Sequence, residues 1–125
     1  MWVFDTSNDG LRTVMKEYEE IAMRILWETD QENMKSQAVW LQVNKILMEE
    51  DKSISRASII NFLNYMVEAG VLNYEERTGK GGYHRVYSPT SDEKGFKRHI
   101  AETMISKLLE IWPEEARAVL LKKLS

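Results

Sequence analysis

A mostly helical α+β fold is what this sequence predicts: three short helices, a two-stranded hairpin, then two further helices. Three observations point to it. Apolar residues recur at helical spacing across residues 13–28, 36–49 and 55–69. The pattern breaks at Gly70 into two strand-like runs around a glycine-rich, basic segment. Helical spacing then resumes after Asp92 and continues to about Leu124.

In the first helix, Val14, Tyr18, Ile21 and Ile25, with Met15, Ala22 and Leu26, form one stripe. Lys16, Glu17, Glu20 and Arg24 are left for solvent, and Asp9 and Thr13 are candidate caps. Residues 29–33 are all polar and read as a connection. The second helix runs from Ser36 to Glu49 with Val39, Val43, Ile46 and Leu47 inward, and Asp51-Lys52-Ser53 interrupts it. Ser55 is a good N-cap for the third helix, because its hydroxyl can accept from an unpaired amide of the first turn. The inward stripe there is Ile59, Phe62, Leu63, Met66 and Val67. Gly70 ends it, since glycine readily takes the left-handed conformation at a helix C-terminus.

Residues 71–76 and 83–88 are the strand-like runs. In the second, Tyr83, Arg85 and Tyr87 alternate with His84, Val86 and Ser88, and Pro89 ends it for want of an amide proton. Residues 77–82 between them predict a hairpin with a longer loop. Ser91-Asp92-Glu93 reads as the next helix start, with acidic groups near the positive end of the dipole. Phe96, Ile100, Met104, Leu108 and Ile111 then share one stripe, with Ile105, Leu109 and Trp112 alongside. Pro113 suits the first turn of a last helix carrying Ala116, Val119, Leu120 and Leu124.

Three helices followed by a basic hairpin is the layout of a winged helix-turn-helix. Residues 1–90 are expected to form that domain, and 91–125 a helical dimerisation segment. In helix-turn-helix proteins the second helix of the motif lies in the major groove. With its apolar stripe buried, the third helix must present Arg56, Ala57, Ile60, Asn61 and Asn64. A guanidinium suits guanine acceptors, and a carboxamide suits adenine's donor–acceptor pair. Ser55 and Ser58 are expected to bond phosphates beside the helix N-terminus, and Arg77, Lys80 and Arg85 of the hairpin to neutralise others. No Lys-Ser/Thr pair follows the glycines and no helix begins there, so the match to a nucleotide-binding phosphate loop fails.

Charge distribution bears on the same expectation. The 125 residues carry a net charge of −3. Residues 1–50 hold five basic and ten acidic side chains, whereas residues 77–98 hold six basic and two acidic. Phosphate binding depends on such local potential, because charges beyond roughly 8–10 Å are screened. The absence of cysteine excludes disulfides and thiolate metal sites. No run of 18 apolar residues is present, and residues 1–10 lack a secretory pattern. The expectation is a cytoplasmic protein that does not engage a membrane. No catalytic constellation, cofactor fingerprint or metal-ligand spacing stands out, so no enzyme, no cofactor and no metal is expected. Asp92, Glu93 and His99 fit capping and surface roles better than a site. Trp27, Met34, Trp40 and Met48 are the residues weighed for an effector pocket, with no effector ligand named.

Residues 54–72 resemble the recognition helix of the penicillinase-repressor family. Ser58-Ile59, Phe62-Leu63 and Glu68-Ala69-Gly70-Val71 occupy the places of that family's motifs. Residues 18–28 are similar to its first helix, and residues 83–89 to its second wing strand. Ile60 and Tyr65 stand where the family often has basic residues, and the cysteine pairs of its copper-responsive branch are absent. The resemblance implies a dimeric prokaryotic repressor binding double-stranded DNA at a palindromic operator.

The stripe Phe96, Ile100, Met104, Leu108 and Ile111, with Trp112 and Leu120, is too apolar for an exposed helix and is expected to form the homodimer contact. The alternative is a helical appendage completing a monomeric core. For the whole chain, the alternative to a sequence-specific regulator is a winged-helix protein-interaction module without DNA readout.

Overall fold

The computed structural model describes residues 2–29, 34–79 and 81–125. The described residues form α1 (Glu17–Glu28), β1 (Met34–Lys35), α2 (Ser36–Leu47), α3 (Arg56–Glu68), β2 (Leu72–Gly79), β3 (Gly82–Pro89), α4 (Glu93–Ile111) and α5 (Pro113–Leu124). Short 3-10 turns cover Gly10–Thr13 and Met48–Glu50. The chain divides into two compact units, Met1–Thr90 and Ser91–Ser125.

The first unit is a winged helix-turn-helix. Its core is built from Ala22, Met23 and Leu26 of α1, Val39 and Val43 of α2, Ile59, Leu63 and Met66 of α3, and Leu72, Val86 and Tyr87 of the sheet. α1 begins four residues later than expected, because residues 10–13 make a separate tight turn in which the Thr13 hydroxyl donates to the Gly10 carbonyl. Neither Asp9 nor Thr13 caps α1; the Glu19 carboxylate accepts the Lys16 amide at 2.7 Å instead. Ile46 is exposed rather than inward. It lies at the edge of the arc formed by Val39, Val43 and Leu47, in the last turn of α2.

Both ends of α3 follow from sequence chemistry. The Ser55 hydroxyl accepts the Ser58 amide at 3.1 Å. At the other end Gly70 has φ +79°, the Val71 amide donates to the Met66 carbonyl, and the Gly70 amide to that of Val67. That pair of bonds satisfies carbonyls the helix leaves open.

The sheet is antiparallel with strand order β1-β3-β2. β2 and β3 pair from Leu72↔Pro89 to Gly79↔Gly82, so the hairpin is tighter than the sequence predicted. Only positions 80 and 81 join the strands, and Gly81 and Gly82 both take φ near +100°, a region that favours glycine. β1 was not expected; two residues cannot display an alternation. It pairs with the base of β3 through Met34↔Tyr87 and Lys35↔Val86.

In the second unit, the Asp92 carboxylate caps α4 by accepting the Gly95 amide at 2.8 Å, and Glu93 pairs with Lys97 at 2.7 Å. Pro113 opens α5 as expected. Among the described residues, no helix is long and apolar enough to cross a membrane.

Candidate nucleic-acid interface

Four contacts fix the turn that delivers α3. The Asn44 carboxamide donates to the Ile54 carbonyl at 3.1 Å and accepts the Ile54 amide at 2.9 Å. The Trp40 indole donates to the same carbonyl at 2.9 Å. Lys52, two residues before Ile54, reaches Glu17 at the start of α1 at 3.0 Å. The Lys52 hydrogen bond holds the Glu17 carboxyl below its ordinary pKa, and in turn Lys52 is raised above its own. Asn44 escaped sequence reasoning, and Trp40 was weighed for an effector pocket rather than for this turn. The only signal was a polar residue within the second helix, a common surface choice.

On α3, Arg56, Ala57 and Asn61 are exposed, while Ser58, Ile60 and Asn64 are half-buried. The side chains of Arg56 and Asn61 make no hydrogen bond or ion pair among the described residues and remain available to a ligand. Ser55 is held as the cap, its hydroxyl 2.8 Å from that of Ser58, so neither hydroxyl is idle.

Asn64, expected at a base edge, is engaged within the chain. Its side-chain oxygen accepts the Tyr87 hydroxyl at 2.6 Å and the Arg85 guanidinium at 3.1 Å. A carboxamide pairs with both acceptor and donor of an adenine edge only when its oxygen is free, and here two donors hold it. Arg85 also lies over the Tyr74 ring, 4.0 Å from its centroid. Tyr87 is 3 % exposed, and its burial pushes the phenol above its ordinary pKa against a smaller opposing pull from Arg85.

The register sorts the hairpin side chains. Tyr74↔Tyr87, Glu76↔Arg85 and Thr78↔Tyr83 share the face that meets Asn64, while Glu75↔Val86 and Arg77↔His84 lie on the other. Arg77 and Arg85 therefore lie on opposite faces of the hairpin. Arg77 is exposed and paired with Glu75 at 3.3 Å. Lys80 lies outside the described residues, as does most of the 29–33 connection. Tyr83, near the hairpin tip, is 80 % exposed.

The basic strip read from residues 77–98 also divides. Lys94, Lys97 and Arg98 belong to α4 of the second unit, and Lys97 is paired with Glu93. Sequence proximity had merged charges from two separate units.

Of the residues expected at a subunit contact, Phe96 (2 % exposed) and Ile100 (8 %) are already buried in the single chain. They have no area left to offer a partner. Met104 and Leu120 are half-buried, and Leu108, Ile111 and Trp112 are exposed. A mainly apolar groove of about 230 Å³ runs between α4 and α5, lined by Ile105, Leu108, Trp112, Val119 and Leu120, with Glu115 also on its wall. A second cleft, about 510 Å³, lies beside Trp2, Phe62 and Tyr65. Neither is lined by Trp27, Met34, Trp40 or Met48, the residues weighed for an effector pocket.

The chain matches a family model described as penicillinase repressor over residues 15–125. No curated protein sequence matches it. Among solved structures it is similar to a Methanosarcina mazei protein described as a possible transcriptional regulator, with a TM-score of 0.57 at 12% identity, over 86% of this chain and 78% of that one. It is also similar to the Aeropyrum pernix Orc1 protein, solved in complex with DNA, with a TM-score of 0.56 at 11% identity, over 76% of this chain and 26% of that one. Likeness at such identities speaks for the fold alone.

Proposed function

The chain belongs to the penicillinase repressor family, a family of DNA-binding transcriptional regulators, and from that premise we propose that it represses transcription as a homodimer bound to a palindromic operator. In this reading Met1–Thr90 is the DNA-binding domain and Ser91–Ser125 the dimerisation segment. The N-terminal half of α3 enters the major groove, where Arg56 and Asn61 meet base edges and Ala57 and Ile60 offer apolar contact. Ser55, Ser58 and the first amides of α3 lie against the phosphate backbone, with Arg77 and Lys80 of the wing on a flanking stretch. The observation that carries this reading is the state of Arg56 and Asn61. Both are exposed and unengaged, on a helix whose start is pinned by Asn44 and capped by Ser55.

Dimerisation is supported by the apolar surface left on α4 and α5, where Leu108, Ile111, Trp112 and Val119 are exposed. Burying such side chains is worth ~1.5–3 kcal/mol each before ordering costs. Two half-sites add the affinity that one short helix and a small wing do not supply.

Selection of bound sequences from random duplexes tests the proposal. The expected result is a twofold-symmetric consensus with half-sites about one helical turn, or a multiple of it, apart, and affinity that falls steeply as salt rises. An asymmetric consensus overturns the dimeric operator. Absence of any enriched sequence overturns base readout and favours the protein-interaction module.

A further inference from the structure

We infer that Asn64 positions the wing against the recognition helix and reads no base. The inference rests on the DNA-binding reading above for its consequence, but its geometry stands apart from it. One oxygen on α3 accepts two donors from the same strand, the Tyr87 hydroxyl at 2.6 Å and the Arg85 guanidinium at 3.1 Å. Those residues are two apart on β3 and therefore on the same face of the ribbon. A carbonyl oxygen has two lone pairs, and here both are used. A single bond would let the ribbon pivot about it, whereas two bonds at alternate residues resist that rotation.

Both donors are themselves held. Tyr87 is buried at the base of β3, paired with Met34 of β1 on one side and Tyr74 of β2 on the other. Arg85 is also held against the Tyr74 ring, 4.0 Å from its centroid. Beyond this point β2 is exposed at every position after Leu72, so no other packing on that strand steadies the outer hairpin. From Arg85 to Gly82 the strand projects about 10 Å, at roughly 3.3 Å per residue. A small rotation at Asn64 therefore displaces the tip, and with it Arg77, from any phosphate that α3 places within reach.

Asn64→Ala, Tyr87→Phe and the double variant test the inference in three measurements. Tyr87 is buried, so a DNA effect of removing its hydroxyl acts through Asn64. Tyr87→Phe is expected to weaken duplex binding about three- to tenfold, the range for removing one hydrogen bond, and Asn64→Ala, which removes both, by at least as much. The double variant should be no weaker than Asn64→Ala alone, because both remove parts of one connection. The slope of log affinity against log salt should fall by ~0.9 for each phosphate that the wing no longer neutralises. A variant that merely reduces the folded fraction leaves that slope unchanged. The selected consensus should be the same for all variants. In the free protein, amide hydrogen exchange across residues 82–88 should quicken in each variant.

A consensus changed at one base position by Asn64→Ala but not by Tyr87→Phe makes Asn64 a reader and overturns the inference. Unaltered exchange in the wing also overturns it. Should the unmodified protein bind no duplex at any salt, the DNA reading itself fails, and the exchange measurement still decides whether Asn64 holds the wing.

Discussion

The two units of the chain answer the problem of apolar surface differently. α3 is 13 residues long, buries Ile59, Phe62, Leu63 and Met66, and has both ends closed by hydrogen bonds. α5 is 12 residues long and buries none of its side chains, with Val119, Leu121 and Leu124 exposed. The first unit satisfies its own core. The second presents apolar groups whose burial needs another surface, and in the proposed function that surface is a second copy of the chain.

The largest effect expected from breaking this contrast is Leu63→Ala. Removing a fully buried side chain at the centre of α3 should cost ~2–5 kcal/mol, with the drop in stability read by denaturant unfolding. The next is Leu108→Glu, which places a charge on the α4–α5 groove. It should raise the dimer dissociation constant at least ~100-fold, about 2.7 kcal/mol, giving monomers by light scattering while the first unit stays folded. Dimers that persist would move the interface elsewhere. Arg56→Ala and Asn61→Ala should each lower sequence discrimination by ~1–3 kcal/mol without changing the unfolding midpoint. Ser55→Ala should destabilise the first unit by ~1 kcal/mol through removal of the cap.

The smallest expected effect concerns pH and also belongs to the first unit. Glu17 has its pKa lowered chiefly by the Lys52 hydrogen bond. Its contribution is present above the unfolded pKa and is lost as pH falls through the depressed folded value. Glu17→Gln should therefore flatten the acid side of a melting-temperature profile. Lys52 has the opposite sense: its contribution is lost only as pH rises through its raised folded value.

What the sequence made legible was local. Ser55 and Gly70 mark the ends of α3 because capping depends on residues a few positions apart, and Pro113 marks α5 for the same reason. Contacts between distant residues were not legible. Asn64 had the right chemistry for a base edge, but its occupants sit 21 and 23 residues away. Phe96, Ile100 and Leu108 share one stripe, and periodicity cannot tell which part of a stripe its own chain covers. β1 is too short to carry a pattern. The hairpin was visible, but not that pairing continues to Gly79↔Gly82.

β2 is the outer strand of the sheet, and among the described residues nothing pairs with its free side. Alternate residues of its eight turn their N–H and C=O groups outward, a template on which another chain could add a strand. Glu75, Glu76 and Arg77 lie consecutively along it, and a foreign strand docking there would have to bring its backbone alongside all three charges. The acidic pair sits poorly with phosphate binding on the same hairpin, but charge on an edge strand guards it against strand addition. Recasting β2 as a more cationic or more apolar strand to tighten DNA binding would remove that guard and invite edge-to-edge aggregation.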